Sequence, residues 1–285
     1  MESVLPFEAY YENSFGEKLW LDRAPYVIND GTLFNHEWKF TTSSRPLNEG
    51  TKLLSAKRPN AEKTVELDVY ADSAKELADA LENLEKHFGK DISALSAGKL
   101  WIGNRFMRCW CRTGKKELSR DFVSMAKVTL SVMPEIPVWC RETVYAHLPG
   151  VSEDVQGHKY SYRYPYRYGT GMSGINIYNM SYLPSPMRII FYGPAVNPRI
   201  VMDGKVIGVN TTLLAGEYAV IDQQMRQIYK ISKDGVRTNI FDNRVKNGLV
   251  FDFALPGTSF VNISSDAGVD ITVIEQRSEP RWSLR

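Results

Sequence analysis

The alternation of apolar and polar residues along the first 140 positions predicts short β-strands. Strand patterns occur at Leu19–Ile28 and Phe34–Thr42, and an Asp-Gly pair between them is typical of a hairpin turn. In KTVELDVYA, successive side chains of an extended chain point to opposite faces, so Val65, Leu67 and Val69 share one face. This first part is therefore predicted to be β-rich, with one side of its sheet buried.

One segment instead repeats its apolar residues every three or four positions, which predicts a helix over about 73–88. Asp72 or Ser73 can cap the first turn, Ser73 with Glu76 three residues later has the pattern of a capping box, and Gly89 is predicted to end the helix. Its apolar residues form a single stripe: Leu77, Leu81, Leu84 and Phe88. We expect this stripe to pack against the sheet.

A hairpin is predicted next, in KLWIGNRFMRCWC, followed by a long strand that Pro134 and Pro137 interrupt. We place the end of an N-terminal β-sandwich-like domain just beyond these prolines, at residues 1–142. The remainder, 143–285, carries Asp-Gly turns at 203–204 and 234–235 between apolar runs, and no helical pattern. It is predicted to be a β-sandwich or jelly roll, which makes the fold class mainly β with one helix, the first domain being α+β.

Composition narrows the class of protein. The chain of 285 residues has a net charge of only +2, which disfavours a nucleic-acid sheath because such proteins carry a clustered basic excess. No run of 18 apolar residues is present, so no membrane insertion is expected. The first residues, MESVLPFEAYYENSFG, lack a signal-peptide pattern, and three cysteines without framework spacing fit a protein that folds in a cytoplasm.

Candidate chemistry is sparse. The four histidines do not have metal-site spacing, and the cysteines, Cys109, Cys111 and Cys140, are best explained as small buried apolar residues. GTGMSGI does not stand between a strand and a helix, so it is not a phosphate-binding loop, and no nucleophile elbow is present. We therefore predict no catalytic residue, no metal, no cofactor and no enzyme activity.

The segment HKYSYRYPYRYG places five tyrosines at every second position from 160 to 168. In an extended chain all five rings would lie on one side, either as a stacking platform for a ligand or as a β-edge or connector that joins domains or subunits. Because interfaces are enriched in both Tyr and Arg, we favour the second interpretation, with Tyr162, Tyr164 and Tyr166 as candidate interface residues.

Several motifs in a fixed order resemble one known family. They are AGKLWIGNRFMRCWC, MPEIPVW, YRYPYRYG, FYGPAVNPRIVMDG, GEYAVID, SKDGVRTNIFDNR and EQRSEPRW, and they span about Trp20 to Trp282. Together they resemble the distal tail protein (Dit) family of long-tailed, siphovirus-like bacteriophages and prophages.

This resemblance implies a virion protein of the tail tip that is assembled in the bacterial cytoplasm. It implies a homohexameric ring made by the N-terminal domain, with a C-terminal galectin-like β-sandwich outside it. The implied partners are the major tail tube protein, a tail-associated lysin or spike, and receptor-binding or baseplate proteins, while DNA only passes through the ring lumen.

A ring requires two different patches on each subunit. Aromatic density suggests that the hairpin around Trp101–Cys111 and the strand after it provide them, with candidate interface residues Trp101, Phe106, Trp110 and Phe122. The alternative function is a carbohydrate-binding module that attaches the phage directly to host cell-wall sugars, since a galectin-like fold leaves that question open.

Overall fold

The structure is a computed structural model that describes residues 7–29, 33, 35–44, 50–118, 124–148, 174–246, 248–263 and 267–280. The chain forms two compact units: unit 1 comprises the residues up to Arg141 and those from Arg277 onward, and unit 2 comprises Glu142–Gln276. The predicted domains, 1–142 and 143–285, stay a prediction. No helix in the described ranges is long and apolar enough to span a membrane.

Unit 1 is an antiparallel β-structure with one helix. In chain order its elements are β1 (Ala9–Glu12), β2 (Lys18–Trp20), β3 (Asp22–Arg23), β4 (Tyr26–Ile28), β5 (Lys39–Ser44), β6 (Thr51–Lys57), β7 (Lys63–Tyr70), α1 (Ala74–Ser93), β8 (Gly98–Ile102), β9 (Arg105–Leu118), β10 (Met125–Pro134) and β11 (Trp139–His147), whose sequence spans the boundary between the units. The strand order is β9-β10-β7-β4-β3, and β9 also pairs with β8, β8 with β1, and β1 with β2.

Local capping chemistry sets the start of α1. The Ser73 hydroxyl accepts a hydrogen bond from the Glu76 backbone N–H at 3.3 Å, and the Glu76 carboxylate accepts one from the Asp72 N–H at 3.1 Å. Both bonds satisfy N–H groups that lie outside the helical hydrogen-bond pattern. The predicted helix start is therefore confirmed.

The predicted end of α1 at Gly89 is wrong, because the helix continues to Ser93. Asp91, in the last turn, is buried and accepts hydrogen bonds from the Tyr11 hydroxyl and from the Ser14 N–H, both at 2.6 Å. These tertiary contacts hold the last turn in place and outweigh the preference of glycine for a helix end. Sequence spacing contains no information about them.

The core of unit 1 forms between the sheet and the predicted stripe of α1. Leu77, Leu84 and Phe88 are buried and Leu81 packs against them, while the predicted inner face of β7 is buried as well: Val65, Leu67 and Val69. Each such side chain contributes roughly 1.5–3 kcal/mol by leaving water.

Unit 2 is a β-sandwich, as predicted. Its strands are β12 (Gly174–Asn179), β13 (Met187–Tyr192), β14 (Ala195–Val196), β15 (Arg199–Met202), β16 (Lys205–Gly208), β17 (Thr212–Leu213), β18 (Tyr218–Asp222), β19 (Gln227–Ile231), β20 (Arg237–Asn239), β21 (Gly257–Ile263) and β22 (Gly268–Arg277). One sheet has the order β20-β19-β18-β13-β22 and the other β12-β21-β15-β16. Apolar side chains from both sheets, such as Phe191 and Val261, form one shared core.

The Asp-Gly turns predicted in this unit are confirmed. Asp203 and Gly204 both have positive φ, 51° and 76°, in the two-residue connection between β15 and β16. Two positive φ angles are what a type I′ hairpin turn requires, and glycine adopts them without steric cost. Gly235 has a φ of 79° in the connection between β19 and β20.

Candidate assembly surfaces of unit 1

Three of the predicted interface residues lie in the described part of unit 1: Trp101 on β8, and Phe106 and Trp110 on β9. The other four, Phe122, Tyr162, Tyr164 and Tyr166, lie outside the described residues. Their role stays a prediction, as does the interpretation of the tyrosine segment to which three of them belong.

Trp101 and Phe106 belong to a row of aromatic rings that crosses four adjacent strands, which we call the aromatic row: Trp20, Tyr10, Trp101 and Phe106. The strand register pairs Tyr10 with both Trp20 and Trp101, and Trp101 with Phe106. The corresponding ring centroids are 5.1, 5.6 and 4.8 Å apart. Such cross-strand aromatic pairs stabilise a sheet by about 0.5–1.5 kcal/mol beyond the area that they bury.

Cationic side chains border the aromatic row. The Arg23 guanidinium lies 4.1 Å from the Trp20 ring, and the Lys18 ammonium lies 4.9 Å from the Tyr10 ring. The Trp101 indole N–H donates a hydrogen bond of 2.9 Å to Glu12, which fixes the ring orientation. Burial, with Glu12 as the next cause, raises the pKa of Tyr10, so its hydroxyl is neutral at physiological pH.

The aromatic row is not equally accessible along its length. Phe106 is only 2% exposed, so it supports Trp101 from below, whereas Trp101 itself is half-buried. Trp110 lies four residues beyond Phe106, on the same face of β9, opposite Met133 of β10, and is also half-buried. Trp101 and Trp110 therefore have surface that is accessible to solvent, and Phe106 does not.

The sequence did not predict the second uncovered surface, the hairpin of β5 and β6. These two strands pair with each other, and all their thirteen residues are exposed. Leu53 and Leu54 lie at a β-bulge, where the register of the two strands shifts, and both are more than half exposed, as is Phe40. An isolated two-stranded hairpin is at best marginally stable in water, so this hairpin gains little stability from its own contacts.

The base of this hairpin is anchored in unit 1. The Arg58 guanidinium, just after β6, lies 4.6 Å from the ring of Trp38, which precedes β5. Arg58 also donates a hydrogen bond of 3.1 Å to the Ser278 hydroxyl. The anchored base fixes the direction in which the uncovered strands leave the unit.

A third surface is an apolar groove between α1 and the strands β9 and β10, with a volume of about 370 Å³. The helix contributes Leu84, Phe88 and Ile92, and the strands contribute Cys111, Val128 and Leu130. Beyond Cys109, β9 pairs with β10 on one side, and no strand of the described residues pairs with its other edge. The groove thus lies beside backbone groups that are available for strand pairing.

The thiols of unit 1 are unsuited to nucleophilic chemistry. Burial raises the pKa of Cys111 to about 11 and raises that of Cys109 further, so both remain protonated near neutral pH. Cys109 and Cys140 are buried and Cys111 is partly buried, as predicted for small apolar residues. Within the described ranges, no group of three His, Cys, Asp or Glu residues could hold a metal ion.

Comparison with known proteins gives structural matches only: no protein-family model and no curated protein sequence matches the chain. The Dit protein of phage SPP1, a paradigm of the hub adsorption apparatus in phages that infect Gram-positive bacteria, matches with a TM-score of 0.58 at 11% identity. That match covers 95% of this chain and 99% of the SPP1 chain.

Two structures of the phage P2 baseplate in its activated conformation, one with Ca and one with Sr, contain a chain that matches with a TM-score of 0.62. The identities are 10% and 11%, and each match covers 96% of this chain and 99% of the other. These likenesses confirm the mainly β fold with one helix that the sequence motifs predicted. The chain has, over nearly its whole length, the fold of the SPP1 Dit protein.

Proposed function

We propose that this protein is a structural subunit of a phage tail tip, a distal tail hub that assembles into a hexameric ring. The ring joins the tail tube to the tail-tip or baseplate proteins, among them a tail-associated lysin and receptor-binding proteins. DNA passes through the lumen without being held there, so we expect the lumen residues to be acidic or neutral.

The observation that carries this proposal is the end-to-end fold match to a hub protein together with a hairpin that nothing in the described chain covers. Fold alone is compatible with many functions. An anchored, exposed hairpin with three large apolar side chains is different evidence, because a soluble monomer gains nothing from it and a subunit of an assembly does.

The same surfaces support a structural rather than a catalytic role. The groove between α1 and β9–β10 is lined by Leu, Phe, Ile and Val side chains and a thiol of raised pKa, together with Glu85, Arg112 and Lys116, which is the mixture of apolar and charged groups that a protein interface has. The half-buried aromatic row adds a rigid face of the kind that protein interfaces use.

Negative-stain images of the purified full-length protein at micromolar concentration test the proposal. We expect rings with a central opening and sixfold averages. Isolated particles without a ring would contradict it, and if the same isolated particles bound cell-wall sugars on a glycan array, the carbohydrate-binding module would be the better account.

A further inference from the structure

We infer that the β5–β6 hairpin of one copy binds the α1–β9 groove of the next copy, with a hairpin strand alongside the open edge of β9. This rests on the proposed self-assembly and specifies which two surfaces meet. It commits the groove to one occupant, a second copy of this chain.

The hairpin has the properties of an inserting element. Its strands are exposed to solvent along their whole length, including Leu53 and Leu54 at the bulge, while its base is held by Arg58 and Trp38. Because its own chain leaves every strand residue exposed, the cover has to come from another molecule. An element anchored at one end and uncovered along its length loses little conformational freedom when it binds.

The groove has the properties of an acceptor. Ile92 on α1 is about half exposed at its rim, and Leu84 and Phe88 form its floor. Its volume of about 370 Å³ is sufficient for two or three apolar side chains, which matches the hairpin's supply of Phe40, Leu53 and Leu54.

Backbone hydrogen bonding supports the same pairing. The edge of β9 beyond Cys109 has no partner strand among the described residues, and this stretch runs along the groove through Cys111, Thr113 and Gly114. A strand that is added to such an edge gains main-chain hydrogen bonds, while alternate side chains enter the adjacent pocket. One hairpin strand can therefore pair with the open edge of β9 and place its apolar side chains in the groove at the same time.

The exposed face of α1 and the hairpin strands carry opposite net charges. The hairpin strands carry three lysines and no acidic residue: Lys39, Lys52 and Lys57. The exposed residues of α1 comprise four acidic side chains against two lysines, a net charge of −2: Glu76, Asp79, Glu82 and Glu85 against Lys75 and Lys86. The strand side of the groove is basic, with Arg112 paired with Glu62 and with Lys116 as a second cation, so the hairpin lysines are expected to face Glu85 on the helix side.

The geometry also suits a closed ring. Donor and acceptor are different patches of the same unit, which gives a head-to-tail contact rather than a symmetric dimer. Every copy in a closed ring then has its hairpin covered and its groove filled, whereas an open chain leaves one of each exposed at its ends.

Disulfide cross-linking between copies tests the inference. In a Cys111→Ser background, which leaves only the buried Cys109 and Cys140, one preparation carries Leu54→Cys and a second carries Ile92→Cys. The two are mixed under reducing conditions, allowed to exchange, and oxidised with oxidised glutathione, which accepts the two electrons of each new disulfide. We expect the mixture to contain several-fold more disulfide-linked dimer than either preparation alone. Leu54→Cys mixed with Val236→Cys, an equally exposed turn residue of unit 2, is the matched control and should stay at background.

The outcomes separate the inference from the proposed function. Rings that form without this cross-link would overturn the inference and leave the hub proposal standing. A protein that stays monomeric would contradict both, and a Leu54–Ile92 double variant that cross-links only within one chain would show that the hairpin covers its own groove.

A charge reversal provides a second readout that does not depend on cysteine geometry. Lys52→Glu is expected to raise the protein concentration needed for half-assembly about tenfold, because it places a carboxylate against the acidic face of α1. Glu85→Lys in the same chain is expected to restore assembly. Failure of the second change to rescue the first would argue against contact between these surfaces.

Discussion

The Tyr11 hydroxyl donates a hydrogen bond of 2.6 Å to Asp91, which joins β1 to the last turn of α1 inside unit 1. The other Asp91 oxygen accepts a hydrogen bond from the Ser14 N–H, also at 2.6 Å, so one buried carboxylate holds a strand and a turn against the helix. Burial is the largest cause that raises the pKa of Tyr11, and the hydrogen bond to Asp91 adds to it. The phenol therefore remains protonated, and a hydrogen-bond donor, at neutral and mildly alkaline pH.

Replacing Asp91 tests how much its hydrogen bonds contribute to the free energy of unfolding. Asp91→Ala leaves the Ser14 N–H without its acceptor and the buried Tyr11 hydroxyl with only the longer hydrogen bond of 3.2 Å to the Cys109 carbonyl, so we expect the free energy of unfolding to fall by about 3 kcal/mol. Urea denaturation monitored by circular dichroism measures the change. Asp79→Ala, at an exposed position of the same helix, is the control and should change stability by less than about 0.5 kcal/mol. An equally small loss of stability for Asp91→Ala and Asp79→Ala would show that the hydrogen bonds of Asp91 do not stabilise the fold.

Gly98 makes the Tyr11–Asp91 contact sterically possible. A Cβ atom at this position would lie 2.2 Å from the Tyr11 hydroxyl oxygen and 2.5 Å from Asp91 Oδ2. Gly98→Ala must therefore displace both groups, and we expect a loss of about 2–3 kcal/mol in a thermal or urea unfolding experiment. Gly114→Ala is the matched control, because its Cβ would meet only a Leu130 methyl group at 3.4 Å. A Gly98→Ala protein as stable as the wild type would refute the close packing described for this site.

The helix shows which structural features local sequence encodes and which it does not. The chemistry that starts α1 lies within four residues, Ser73 to Glu76, and was predicted correctly. The end was predicted wrongly, because Asp91 is fixed by Tyr11, eighty positions away. In the same way, aromatic density selected Phe106 as an interface residue but gave no indication that Trp101 would cover it.

The hairpin of β5 and β6 is a second feature that the sequence did not fully predict. Its first strand was predicted in part, as Phe34–Thr42, but TKLLSAK places Leu53 beside Leu54 and so lacks the alternation of a half-buried strand. A strand with both faces in solvent has no reason to alternate. The absence of alternation thus concealed the element that now supports assembly most strongly.

His87 should make unit 1 sensitive to acid. The imidazole is buried on α1 against Tyr11 and Phe88, and burial lowers its pKa, although Glu17 and Asp91 oppose that shift. The folded state therefore binds its proton less readily than the unfolded chain, so stability falls as the pH drops through the unfolded-state pKa of about 6.5. We expect the free energy of unfolding to decrease between pH 7.5 and pH 5.5.

The comparison that isolates this contribution is His87→Gln, measured by urea denaturation at the same two pH values. The variant should lose less stability on acidification than the wild type, because glutamine does not titrate. Identical pH slopes would show that other groups, such as the carboxylates around Lys90, account for the whole effect.

Trp101 should contribute more to assembly than to the fold of a single copy. Trp101→Leu removes the ring stacked on Tyr10 and the hydrogen bond to Glu12, which we expect to cost a monomer about 1–2 kcal/mol. If Trp101 lies in a subunit contact, the concentration for half-assembly should also rise about tenfold or more in sedimentation velocity experiments.

The matched control for this change is Tyr70→Ser, at an exposed aromatic position on β7. It should assemble as the wild type does. If the Trp101→Leu protein assembles as the wild type does, Trp101 is not part of the subunit interface and only stabilises the fold through the aromatic row.

The central claim is that the exposed surfaces of unit 1 are covered by copies of the same chain. The most direct measurement is the particle mass of the purified full-length protein by light scattering coupled to size-exclusion chromatography at micromolar concentration. We predict one species with six times the chain mass of 32.4 kDa. A single species at 32.4 kDa under these conditions would contradict the account.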